Sequence, residues 1–116
     1  MADDDVVVYI DAAEGVKRVM NNGKLYAKLL GKFKEDKNLA ELEEALAAGD
    51  LTKAQASAHT IKGLAANLSL TELFKQSLEL ETQIKAGSVN PDQMETVKDV
   101  YAQTLIETDK VIAQYA

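Results

Sequence analysis

Apolar residues along the chain recur at steps of three and four, the spacing that gathers side chains on one face of an α-helix. Leu25, Tyr26, Leu29, Leu30 and Phe33 form one such stripe, and Leu39, Leu42 and Leu46 form a shorter one. Further periodic stretches run from Leu51 to about Leu68 and from Glu72 towards Gly87. The last stripe is the longest: Met94, Val97, Tyr101, Leu105, Thr108, Ile112 and Tyr115 alternate the two steps over about six turns. That alternation predicts a helix lying along a bundle rather than crossing it steeply. Only Val6 to Ile10 has strand propensity, and one short run among helices makes no sheet. It reads as an apolar lead-in packed on the bundle as a helical turn.

Polar residues punctuate these stripes at the places where helix ends need partners. Asp11-Ala12-Ala13-Glu14 has the form of a capping box, opening a helix that fades at Asn21-Asn22-Gly23. Gly49 stops the 39–48 helix, and Asp50 caps the next. Ser69-Leu70-Thr71-Glu72 reads as a second capping box, with Ser69 as the cap. Asn90 stands before Pro91 in the first helical position, where a missing N–H costs nothing. The expected architecture is all-α: one domain over residues 1–116, an antiparallel four-helix bundle with additional short N-terminal helices.

Composition narrows the function. The chain has 116 residues, 47% of them hydrophobic and 28% charged, enough for one packed domain and too few for two. No apolar run exceeds five residues, so no segment spans a bilayer, and the acidic start Asp3-Asp4-Asp5 is unlike a secretory leader and reads as a frayed terminus. Cysteine is absent, which excludes disulfide and thiolate chemistry and suits the cytoplasm. The net charge of −6 disfavours nucleic acid and anionic membrane as partners and leaves another protein. No phosphate-binding glycine loop occurs, so ATP is not the expected donor, and no carboxylate cluster has metal-ligand spacing.

The chemistry is concentrated on the fourth helix. At about 100° per residue, Ala54, Ser57, Ile61, Leu64, Ala65 and Leu68 fall on one side, the side turned to the bundle. Thr52, Gln55, Ala56, His59, Lys62, Gly63 and Ala66 fall on the other. His59 is the only histidine and sits at the middle of this second face, where a core role is disfavoured. Lys62 and Gly63 adjoin it at i+3 and i+4. A glycine inside a helix costs about 1 kcal/mol relative to alanine and so needs a reason. With Ala56 and Ala66 it makes a side-chain-poor floor on which another protein's loop can approach. A lysine beside the ring favours a dianionic group attached to it.

The run His59-Thr60-Ile61-Lys62-Gly63-Leu64-Ala65-Ala66-Asn67-Leu68 resembles the signature of histidine-containing phosphotransfer (HPt) domains. Ala48-Gly49-Asp50 resembles that family's turn before the histidine helix, and Ile10-Asp11, Glu14-Gly15, Leu25-Tyr26, Leu29-Leu30 and Phe33 resemble its N-terminal helices. Leu80-Glu81 falls where the family places an acidic or amide residue. The likeness covers nearly the whole chain. It departs at Ser69, where the family usually has glycine, and at Leu64, where it has a small residue.

The resemblance implies a phosphorelay carrier and not an enzyme. His59 would accept a phosphoryl group from a phospho-aspartate on a response-regulator receiver domain and pass it to another receiver. A free imidazole is largely neutral at about pH 7, so a ring nitrogen can attack without a separate base. By the same resemblance Glu81 faces His59 and accepts the Nδ1 proton, leaving Nε2 as nucleophile, while Lys62 steadies the phosphoryl oxygens. Gly63 would give the receiver's loop room, and Gln55, Ala56 and Ala66 would belong to the docking surface. No cofactor or metal is expected on this chain, magnesium coming with the receiver. The expected partners are receiver domains, a hybrid histidine kinase, or both, met by a monomer. A complete small protein and a domain excised from a hybrid kinase both fit the sequence. Two alternatives stand beside this reading: an adaptor that docks receivers without carrying phosphate, and a hydrolase with His59 as base and Glu81 as its orienter. Only two residues carry the latter.

Overall fold

Phe33 and Tyr101 meet in the core with ring centroids 5.2 Å apart, and the helices that carry them organise the rest. The structure, a computed structural model, describes residues 7–115, so the Asp3-Asp4-Asp5 run and Val6 lie outside the described residues. Six helices follow one another: α1 (Ala12–Arg18), α2 (Gly23–Lys34), α3 (Asn38–Ala47), α4 (Leu51–Leu68), α5 (Thr71–Lys85) and α6 (Pro91–Tyr115). Helices α3 to α6 run up and down as an antiparallel bundle, with α4 packed between α3 and α5. The long α6 also reaches past this bundle, and α2 packs along its far half, where Lys34 pairs with Asp109. Nearer its start α6 meets α3, through Lys98 and Glu43 at 3.1 Å. The all-helical bundle with short N-terminal additions is therefore the architecture found, and among the described residues there is no strand.

The stripes read from the sequence are the buried faces. Tyr26, Leu30, Phe33, Leu42, Ile61, Leu73, Leu80, Ile84, Val97 and Tyr101 form one continuous core. Val100 and Thr104 are buried too, which widens the α6 stripe beyond the expected positions. Tyr26 anchors α2 to the end of α4 by donating its hydroxyl to the Leu68 carbonyl at 2.6 Å. Its burial, with Asp11, Tyr115 and Glu14 adding negative charge nearby, pushes the phenol up to about 12. Gly15 exists to admit this ring, since a β-carbon there would sit 2.3 Å from Tyr26 Cζ.

Most helix ends follow the expected capping chemistry. The side chains of Asp11, Asn22 and Asp50 accept from the backbone N–H three residues on. Gly49 adopts φ +73° and closes α3, the Asp50 N–H reaching back to Ala45 at 2.9 Å.

Three expectations are corrected. Ser69 does not cap α5: that helix has Leu70 at its N-cap with no side-chain bond, and Ser69 closes α4 in the left-handed region at φ 58°. The conformation explains why the resembling family prefers glycine at this position. Its hydroxyl instead donates to Glu14 at 2.9 Å, and its carbonyl accepts from the Asp11 N–H at 2.9 Å. Glu14 is thus turned outward to α4 rather than back to its own cap, and the box at Asp11 is only half made. The lead-in at residues 7–10 is also not a helical turn. Tyr9 and Ile10 pack on the core from an irregular segment tied down by Thr71, whose hydroxyl donates to the Val8 carbonyl.

Candidate functional site

Helix α4 turns Ala54, Ser57, Ile61, Ala65 and Leu68 inward, with Ala58 buried beside them and Leu64 half-buried. The opposite face is therefore left to solvent, and His59 stands on it with its side chain 68% exposed. The antiparallel α4–α5 pair brings residue 81 alongside. His59 Nδ1 lies 3.1 Å from Glu81 Oε2, and Lys62 Nζ lies 2.7 Å from Glu81 Oε1. Lys85, one turn further along α5, places its Nζ 3.7 Å from Oε2. Glu81 is the hub of this cluster and its only buried member, with 3% of its side chain exposed.

The electrostatics of Glu81 decide the histidine's tautomer. Burial alone would raise the carboxyl above its ordinary 4.5, but hydrogen bonds from Lys62 and His59 and the positive charges of Lys62 and Lys85 outweigh it, so the group is held below that value. An ionised carboxylate only accepts hydrogen bonds. Nδ1 of His59 must therefore carry the proton it donates, and in the neutral ring the free lone pair belongs to Nε2, on the side away from Glu81.

The surface around the ring is open. A hollow of about 420 Å³ beside it is lined by Thr52, Gln55, Ala56, His59, Glu81 and Lys85. A helical side chain leans towards the helix N-terminus, and so the imidazole overhangs the turn that carries Gln55 and Ala56. A β-carbon on Gly63 would meet no other atom within 4 Å, so nothing inside the protein requires glycine there.

The structure thus brings His59, Glu81, Gln55 and Ala56 to one hollow, with Lys62 bound to the same carboxylate. Gly63 and Ala66 share the α4 face but line no part of that hollow, and Ala66 borders a separate one with Phe74. Lys85 is the site residue the sequence reading missed. Its signal was the i, i+4 spacing from Glu81, which places the two side chains together on any helix. A larger hollow, about 520 Å³ between α1, α2 and α4, is lined mainly by apolar residues such as Leu29, Phe33 and Leu64 and touches none of these groups. Among the described residues no three His, Asp or Glu side chains converge as metal ligands, and no helix is long and apolar enough to cross a membrane.

Comparison with known proteins gives one match. The family model of the Hpt domain matches residues 28–107, which includes the whole of α4 and α5. No curated protein and no solved structure matches the chain. The chain belongs to the Hpt domain family. Domains of this family are phosphorelay phosphocarriers, not conventional enzymes, and they interact with receiver domains and histidine kinases of two-component systems.

Proposed function

We propose that His59 receives a phosphoryl group from a receiver domain's phospho-aspartate and hands it to another receiver. In the forward step the Nε2 lone pair attacks phosphorus, an N–P bond forms, and the acyl P–O bond breaks to return the aspartate carboxylate. Transfer in the other direction reverses these changes. Such transfers depend on positioning and charge neutralisation more than on covalent machinery. The observation that carries the reading is the 3.1 Å contact of Nδ1 with a buried, ionised Glu81, on a ring that is otherwise open to solvent. It sets the tautomer and aims Nε2 outward, where a partner can reach it.

Lys62 lends positive charge to the phosphoryl oxygens from its seat on Glu81. Gly63 keeps the approach free of side chain, and Gln55, Ala56 and Ala66 contribute to the receiver's docking surface. Magnesium enters with the receiver. The natural setting is the cytoplasm, with the carrier acting as a monomer.

Incubation with a phosphorylated receiver and magnesium is expected to place an acid-labile, alkali-stable phosphate on this chain, and His59→Gln is expected to abolish it. Because His59 is the only histidine, label retained by the variant would overturn the assignment. A receiver that binds the wild-type chain without labelling it would favour the docking-adaptor reading instead.

A further inference from the structure

The hollow between α1, α2 and α4 shares no lining residue with the one beside the histidine. Leu64 lies five residues beyond His59, about 140° around α4, so the two hollows open on different sides of that helix. Buried Phe33 and Leu68 line it, together with Val19 at the end of α1, Leu29 of α2 and Leu64 of α4, which pack on the core but stay partly open. Its 520 Å³ and its apolar lining with few polar groups are those of a small-ligand pocket, for which about 300–1,000 Å³ is usual.

Three charged side chains border it: Arg18, Lys32 and Asp36. Asp36 is already engaged, its oxygens accepting from the Asn38 backbone N–H at 2.9 Å and the Asn38 amide at 2.8 Å. Arg18 is half-exposed and meets only Glu14, at 3.4 Å, while Lys32 is exposed and in no ion pair among the described residues. The border thus carries one positive charge in excess. It belongs to a wider asymmetry: residues 17–37 hold seven of the thirteen lysines and arginines and two of the nineteen acids, +5 in a chain of −6. Exposed charges more than about 8 Å apart are largely screened at physiological salt, so an anion arriving here meets the local balance and not the total.

We propose that this hollow binds a single-chain anionic amphiphile, its alkyl chain on Leu29, Phe33 and Leu64 and its carboxylate head met by Arg18 and Lys32. An excess of one charge suits a monoanion better than a dianion. A small hydrophilic anion would leave the apolar lining in water. The alkyl chain supplies affinity through the area it removes from water, and the cations select the sign of the head. The inference does not draw on the chemistry of His59 and adds a second, non-covalent site to the carrier.

Decanoate is the probe, titrated into the full chain below its micelle concentration and followed by backbone amide NMR. Saturable shifts are expected at the end of α1, along α2 and at residues 64–68. Decylammonium, with a similar chain and the opposite charge, and butyrate, with the same head and little chain, are each expected to bind about fivefold more weakly or worse. Arg18→Ala/Lys32→Ala removes two exposed charges and is expected to weaken decanoate by about fivefold or more, whereas Lys32→Arg retains it. Decanoate indifferent to the double variant, or matched by decylammonium or by butyrate, would overturn the proposal. So would shifts confined to other surfaces, or binding to phosphatidylglycerol vesicles with no decanoate shifts, which would give the basic stretch to a membrane.

Discussion

At the scale of single residues, Gly63 separates what the fold wants from what the function wants. It sits inside an 18-residue helix, where glycine is worth about 1 kcal/mol less than alanine, and a β-carbon at this position meets open space. Gly63→Ala is therefore expected to stabilise the protein by about 0.5–1 kcal/mol, read from chemical denaturation. Gly63→Gln should be no less stable than wild type and yet transfer phosphate from a receiver more slowly, because the longer side chain occupies the approach to His59. Unchanged transfer in Gly63→Gln would mean that the bare backbone serves no partner. His59, Lys62 and Gly63 were legible from sequence because they share one helix, where periodicity alone sets which residues are neighbours. Glu81 and Lys85 come from another helix, and no spacing links residue 59 to residue 81. Resemblance supplied Glu81. Lys85 follows from Glu81 by its i, i+4 spacing, but only the packed α4–α5 pair shows that Lys62 is already bound to the same carboxylate.

At the scale of elements, helix starts were legible wherever the capping side chain stands in the backbone conformation its residue type prefers. Asp11, Asp50 and Asn90 each stand before a helix, and their side chains accept from its backbone as capping chemistry requires, even at Asp50, whose own N–H closes α3. Ser69 lies in the tight joint between α4 and α5, where the same residue can end one helix or begin the next. The pattern Ser69-Leu70-Thr71-Glu72 satisfies the rule for a beginning, but a positive φ is invisible in a pattern of residue types. Substitution distinguishes the two uses. Threonine is a competent N-cap but a poor left-handed residue, because its branched β-carbon crowds the backbone, whereas glycine enters that region freely. Ser69→Thr is expected to lose about 1–2 kcal/mol of stability, while Ser69→Gly, which relieves the backbone and loses the bond to Glu14, stays within about 0.5 kcal/mol of wild type. Threonine tolerated and glycine costly would restore Ser69 to the start of α5.

At the scale of the whole molecule, the site's electrostatics are also a term in folding, since the carboxylate that orients His59 is buried in the joint between α4 and α5. Its folded value lies below the ordinary 4.5 because Lys62, His59 and Lys85 outweigh the cost of burial. For an acid depressed by folding, the unfolded chain binds the proton more readily. The stabilisation is accordingly complete above the unfolded value and is lost as pH falls through the lower folded one. Wild type and Glu81→Gln, compared by denaturation from about pH 7 down to about pH 2, should show a stability gap that is constant above about pH 5 and then closes. A gap of the same size at every pH would mean that Glu81 contributes shape and hydrogen bonding but no charge. The same carboxylate thus acts at both scales: ionised, it holds His59 and Lys62 of α4 to α5 and fixes which ring nitrogen faces it, so its charge is part of the α4–α5 joint as well as of the site.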